Sequence, residues 1–178
     1  MGDIGNIVQK VRKLYKRREI PFNYLIAKGV IGEYGFLEGV KKFFFDVDGH
    51  VFNNCRFNNE TSEAGGVGLE SYPDHLLLTR TGFLYVETKN WTGEYAISRQ
   101  REIRQQIETT MRNIKFYFRH CGVTSLPSAV LYDAEGTIDA NGICVIRDVS
   151  KLKGFLSEGV VGDYERMLEI LGGLCRNS

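Results

Sequence analysis

The sequence predicts an α/β sandwich, a mixed β-sheet flanked by helices on both faces. Three observations predict it. Segments of apolar residues at helical spacing lie before and after a group of short strand-like runs; the periodic segments follow the order helix, three strands, helix, strand, strand; and 178 residues with 43% apolar and 25% charged content suffice for one domain with a real core. No internal repeat or low-complexity tract interrupts that order.

Residues 4–18 carry Ile4, Ile7, Val8, Val11, Leu14 and Tyr15 at helical spacing, which predicts an amphipathic helix ended by Pro21. Its other side is basic, with Lys10, Arg12, Lys13, Lys16, Arg17 and Arg18 within nine residues. We assign residues 1–28 to this basic helix and its linker, and residues 29–178 to a single domain. The domain opens on a helix expected over Val30–Phe45, where Phe36, Leu37, Val40 and Phe44 form an apolar stripe. At 100° per residue Glu33 projects near the middle of that stripe, and a carboxylate aimed inward needs a partner. The alternative is a helix-start carboxylate that favours the N-terminal dipole and bends out to water.

A first strand is expected over His50–Phe57, followed by a polar, glycine-containing loop over Asn58–Ser71. The runs Tyr72–Leu78 and Phe83–Lys89 read as a hairpin turning at Arg80-Thr81-Gly82. Antiparallel pairing then sets Asp74 opposite Glu87 or Thr88, and alternation puts Glu87 and Lys89 on one face with Thr88 on the other. The next helix is expected over Ser98–His120, with Ile103, Ile107, Met111, Ile114 and Phe118 facing the sheet. Gln106, Thr110 and Tyr117 flank that stripe while Gln105 points almost opposite, so Gln106 is the glutamine expected at the sheet edge. Leu126–Tyr132 and Gly142–Ile146 read as later strands, and Val149–Leu156 and Asp163–Leu174 as closing helices.

No apolar run approaches a membrane span, and Gln9, Lys10, Arg12 and Lys13 stand where a signal peptide would need an apolar segment, so a cytoplasmic protein is expected. Cys55, Cys121, Cys144 and Cys175 are scattered with no CxxC pair, which favours buried reduced thiols over a zinc site or disulfide framework. The net charge of +1 is unevenly spread: beside the N-terminal cluster, Arg99, Arg101, Arg104, Arg112 and Lys115 recur along the later helix. Such clusters attract phosphates, although each alone also suits a solvated helix face.

Two carboxylates and an amine on one hairpin suit phosphodiester hydrolysis. Mg2+ or Mn2+ needs hard oxygen donors, and Asp74 and Glu87 supply two, with phosphate oxygens and waters completing the shell. The main-chain carbonyl of Thr88 is a candidate third ligand, and Lys89 is placed either to orient the metal-bound water or to stabilise charge developing on the phosphate. The bland reading of the same spacing is a turn-capping Asp74 and a surface Glu87–Lys89 ion pair worth about 1 kcal/mol or less. His75 turns away from the face of Asp74 and reads as a buried structural histidine, and Trp91 as a plug at the strand end.

The motifs in order carry more than the spacing. Gly29-Val30-Ile31-Gly32-Glu33, Pro73-Asp74-His75, Glu87-Thr88-Lys89-Asn90-Trp91-Thr92-Gly93, the helix with Gln106 and the strand Ala129–Tyr132 resemble the nuclease-related domain family of the PD-(D/E)XK nuclease superfamily, over roughly residues 29–156. Glu102-Ile103 stands where that family often has Asn-Pro. The resemblance implies a PD-(D/E)XK-like αβββαβ core and an Mg2+- or Mn2+-dependent nuclease acting on DNA rather than RNA. Glu33, Asp74, Glu87, Lys89 and Gln106 would be catalytic, with Asp74, Glu87 and Thr88 at the metal. The reading from a different class is a non-catalytic module that binds nucleic acid or protein. Such a module would have no chemical reason to keep Asp74, Glu87 and Lys89 together.

Overall fold

The computed structural model describes residues 24–44, 49–53, 55–57, 71–90, 93–133, 138, 142–157 and 160–176. The basic segment Lys10–Arg18, most of the Asn58–Ser71 loop and Trp91 lie outside them. Five strands form one sheet in the order β1-β2-β3-β4-β5: Gly49–Asn53, His75–Thr79, Phe83–Lys89, Ser128–Asp133 and Cys144–Ile146. The first three pair antiparallel and the last three parallel, so the sheet is mixed as expected. Helix α1 (Tyr24–Phe44) precedes the sheet, and α2 (Gly93–Ser98) and α3 (Gln100–His120) cross from β3 to β4. A 3-10 turn (Val149–Lys151), α4 (Leu152–Leu156) and α5 (Tyr164–Arg176) close the chain.

Alternation along β2 and β3 divides the core in two. Leu76, Leu78 and Tyr85 point to one face, where Ile103, Ile107, Ile114 and Phe118 of α3 and Met167 and Leu171 of α5 cover them. Leu77, Leu84 and Val86 point to the other, under Phe36 and Val40 of α1 and Val149, Leu152 and Leu156. Each fully buried side chain of this size contributes roughly 1.5–3 kcal/mol. Because β2 is buried on both faces it reads as the continuous run Leu76-Leu77-Leu78, and the sheet is covered on both faces as the sequence predicts.

Several expectations need correction. Helix α1 starts at Tyr24 rather than Val30; the helix expected over Ser98–His120 is found as α3, and the short α2 that precedes it and ends at Ser98 is unforeseen. The first strand stops at Asn53, with only an isolated bridge from Phe57 to Ser71 beyond it among the described residues. The reduced-thiol reading fails for two cysteines: Cys55 and Cys175 are joined by a disulfide, with Cα atoms 4.6 Å apart. These residues are 120 positions apart in the chain, so spacing carried no sign of the pairing that the docking of α5 creates. Cys121 and Cys144 are free.

Candidate active site at the end of the β2–β3 hairpin

The β2–β3 turn fixes the register that the site depends on. Thr79 N–H donates to the Gly82 carbonyl at 2.8 Å, and pairing runs from Leu78↔Phe83 to His75↔Val86. A Cβ on Gly82 would fall 2.5 Å from the backbone of Leu156, so only glycine lets the turn lie under the end of α4. One further step of this register brings Asp74 opposite Glu87. The Asp74 carboxylate leans one residue further: its Oδ2 accepts from the Thr88 backbone N–H at 2.8 Å and from the Thr88 hydroxyl at 3.0 Å. The donors of Thr88 thus hold Asp74 across the hairpin. No hydrogen bond among the described residues involves Asp74 Oδ1.

Glu87 is fully buried and its carboxylate is held from three directions. Lys89 Nζ and Gln106 Nε2 both donate to Oε1, the latter at 2.7 Å, while the Tyr85 hydroxyl donates to Oε2 at 2.5 Å. Tyr85, Glu87 and Lys89 alternate onto one face of β3, and Gln106 reaches them from α3. Burial first and the Asp74 charge next push the Glu87 carboxyl above its ordinary range, while Lys89 pulls it down. Burial first and the Glu87 charge next push the Tyr85 phenol far above its usual value, so it remains a donor, and Thr110 in turn hydrogen-bonds to it. The surface ion pair of the bland reading is therefore absent: the Lys89 side chain is only 12% exposed and that of Glu87 not at all.

Glu33 comes to this cluster from the other side of the sheet. A Cβ on Gly32 would fall 2.7 Å from Cβ of the buried Asn90, so the glycine lets α1 descend onto the residue after Lys89. Burial, followed by the charge of Asp74, raises the Glu33 carboxyl from 4.5 to about 7; Lys89 lowers it and Glu87 adds a smaller upward push. Its environment is that of a third carboxylate in the cluster rather than of a helix-start acid bent into water.

This pKa shift has a sign that thermal melts can check. The folded protein holds the Glu33 proton more tightly than the unfolded chain does, so the associated stability is full below 4.5 and lost as pH rises through about 7. Glu33→Gln should therefore gain in Tm relative to wild type between those values, in metal-free buffer. Parallel Tm-against-pH curves would contradict the placement of Glu33.

His75 takes no part in the cluster. Its Nδ1 lies 2.7 Å from Asn53 Oδ1, its ring stacks on Phe36 at 4.7 Å, and burial lowers it to about 3, leaving a neutral structural histidine as the sequence suggested. Sequence reasoning missed the role of Tyr85, which reads as a core residue, that of Thr110, placed only as flanking the α3 stripe, and the position of Asp133. Asp133 pairs in register with Lys89, is fully buried, and accepts from the Ile138 N–H at 2.7 Å, while its Oδ1 has no partner among the described residues. A carboxylate ending the run Ala129–Tyr132 was the available signal.

The donor set fits a divalent cation of the Mg2+ class. Among the described residues no three acidic, histidine or cysteine side chains are grouped so as to hold an ion by themselves. An ion here would take one or two carboxylates and fill its remaining positions with substrate oxygens and water, the shell that Mg2+ favours. Asp74 Oδ1 and the second lone pair of Glu87 Oε2 are the oxygens that the hydrogen bonds leave for it.

Compared with known proteins, the chain matches the family model of the nuclease-related domain over residues 28–121. Its structure is similar to the crystal structure of the small subunit of the heterodimeric restriction endonuclease R.BspD6I, with 15% identity and a TM-score of 0.41 over 99% of this chain and 89% of that one. No curated protein matches.

Proposed function

The chain belongs to the nuclease-related domain family, and on that premise we propose that it is a divalent-metal-dependent nuclease that hydrolyses DNA in nucleic-acid processing or defence. The observation that carries the reading is the cluster itself, with Glu87 fully buried and Glu33, Asp74 and Lys89 partly so. Glu33, Asp74 and Glu87 interact through their charges with one another and with the ammonium of Lys89. Burying charge costs more than packing apolar groups in the same space, so a purely structural role gives no reason for this gathering of carboxylates. A function that recruits a cation does.

In this reading Asp74 and Glu87 hold Mg2+ or Mn2+, with the Thr88 carbonyl as a further ligand. When bound, the ion supplies Lewis-acid polarisation of the phosphate and lowers the pKa of water. The chain's own residues do the rest. Thr88 orients Asp74; Gln106 and Tyr85 fix the Glu87 carboxylate so that it reorganises little during the reaction. Lys89, on the same face, places its ammonium against charge developing on the phosphate. Glu33, whose carboxyl feels the Asp74 charge, would hold the ion's outer waters or a second cation.

Residues 29–178 form the catalytic domain in this proposal, and the basic segment Lys10, Arg12, Lys13, Lys16, Arg17 and Arg18 supplies sequence-independent phosphate contacts. A second grip is offered by a cleft between α1 and the 3-10 turn lined by Gly35, Gly39, Lys42, Tyr132, Arg147 and Asp148, whose carboxylate accepts from the Ser150 N–H and hydroxyl. Tyr132 pairs in register with Thr88 and packs with the α1-side core, which sets this cleft on the α1 face of the sheet, the face from which Glu33 approaches. Replacing Lys42 and Arg147 together by alanine should weaken binding to all DNA sequences and flatten the dependence of log K on log salt by about 2, roughly one counterion per contact. An unchanged slope would remove the cleft from the substrate path. The cytoplasm remains the proposed place of action; the Cys55–Cys175 bond is the feature at odds with it, since disulfides are rare there.

Incubating linear, circular and single-stranded DNA with Mg2+ or Mn2+ tests the activity. A cut circle would make the enzyme an endonuclease. Binding without cleavage of any substrate would assign the chain to the alternative, a non-catalytic nucleic-acid- or protein-binding module.

A further inference from the structure

A second cleft of about 540 Å³ borders the cluster on the α3 side, between the segment entering β2 and the first turns of the helix. Its chemistry differs from that of the Lys42–Arg147 cleft. Tyr72, 53% exposed, presents a large aromatic ring to the lining, and Gln105, Gln106 and Thr109 present amides and a hydroxyl. The charged residue of the lining is an acid, Glu102, held by Arg99 at 2.7 Å. Ser71 also lines the cleft, 94% buried, and its hydroxyl oxygen has no hydrogen-bond partner among the described residues. The described lining itself offers no cation to a phosphate, and its one acid is already matched by Arg99. It offers a planar base a ring to stack on and uncharged donors and acceptors for its edge.

Gln106 joins the two places, because it lines this cleft and donates to Glu87. Anything seated in the cleft is therefore next to the carboxylates. We propose that the cleft receives an unstacked nucleobase of the substrate, adjacent to the phosphate to be cut, with its ring on Tyr72 and its edge on Gln105 and Thr109. The inference rests on the nuclease reading and deepens it, because it names the substrate form. A base paired in a duplex must leave the stack to enter, whereas a single strand or a frayed end presents it at little cost. Single-stranded or end-frayed DNA is then the preferred substrate. The adjacent glutamines Gln105 and Gln106 of α3 divide the work, Gln106 holding Glu87 and Gln105 meeting the base.

The test is binding of an oligonucleotide carrying 2-aminopurine, single-stranded and as a duplex, in metal-free buffer where nothing is cut. The wild-type protein should quench the fluorescence of the single strand on binding. Tyr72→Ala, a change at an exposed position that should leave the melting temperature unaltered, should lose the quench and bind the single strand on the order of 10-fold more weakly, with duplex binding unchanged. Tyr72→Trp should restore both. If Tyr72→Ala keeps the quench, or weakens single strand and duplex alike, the base site is refuted while the nuclease reading stands. If the wild-type protein binds neither form and cuts no DNA with Mn2+, the nuclease reading falls and takes this inference with it.

Discussion

Lys89→Ala should leave the fold and most of the Mn2+ affinity intact and lower the cleavage rate on the order of 10²–10³-fold, the usual cost of removing one group that stabilises transition-state charge. The ammonium sits against Glu87 Oε1, where Gln106 also donates, so its loss leaves that oxygen with a partner and an already buried carboxylate with one donor fewer. Two effects on Glu87 oppose each other. Without the ammonium its carboxyl rises further, since Lys89 is the largest of the effects that lower it, ahead of the Tyr85 hydrogen bond; a divalent ion brings it back down by supplying the missing positive charge. The variant should therefore bind Mn2+ with a steeper dependence on pH than wild type does, while turnover at saturating ion stays lost. Equal turnover would exclude a transition-state role for Lys89. Loss of Mn2+ binding together with turnover would make the lysine a structural counter-ion.

Asp74→Asn should have the largest effect on the ion itself. An asparagine oxygen can still accept from the Thr88 N–H and hydroxyl, so the bonds that tie residue 74 across the hairpin survive and the substitution isolates the charge. Residues that merely orient a metal ligand cost about 10–100-fold in affinity when removed, and a ligand should cost at least that. Calorimetry should accordingly show Mn2+ affinity reduced by on the order of 100-fold or more, with the thermal transition preserved. The same change removes the leading charge effect on Glu33, so that carboxyl should titrate below its value of about 7. If the Asp74→Asn variant binds Mn2+ as well as the wild type does, the cation site is elsewhere.

The hairpin and its neighbours were legible because their signals are local. Alternation placed Glu87 and Lys89 on one face of β3, the turn at Arg80-Thr81-Gly82 set the register, and the stripe of α3 singled out Gln106, which the structure brings to Glu87. Glu33 was legible through the α1 stripe, but the reason it can approach was not. Gly32 over Asn90 is a contact between segments almost sixty residues apart that no periodicity records. Tyr85 and Thr110 were hidden for a different reason. Tyr85 lies where a core residue is expected and Thr110 beside the α3 stripe, and the part their hydroxyls play shows only once the partner is known. Gln105 was set aside because it points away from the sheet, and the cleft it lines is formed with Ser71 and Tyr72, which a helical projection of α3 alone does not include. The Cys55–Cys175 pairing is likewise a product of topology rather than of spacing.

The central claim is that the cluster of Glu33, Asp74, Glu87 and Lys89 cuts DNA with the help of a divalent ion. Single-turnover cleavage of end-labelled DNA by wild type and by Lys89→Ala, each with Mn2+ and with chelator, tests it most directly. The account predicts scission by the wild type with Mn2+ alone, and a rate at or near background in the other three samples. Scission that survives chelation, or that Lys89→Ala performs at the wild-type rate, would contradict it.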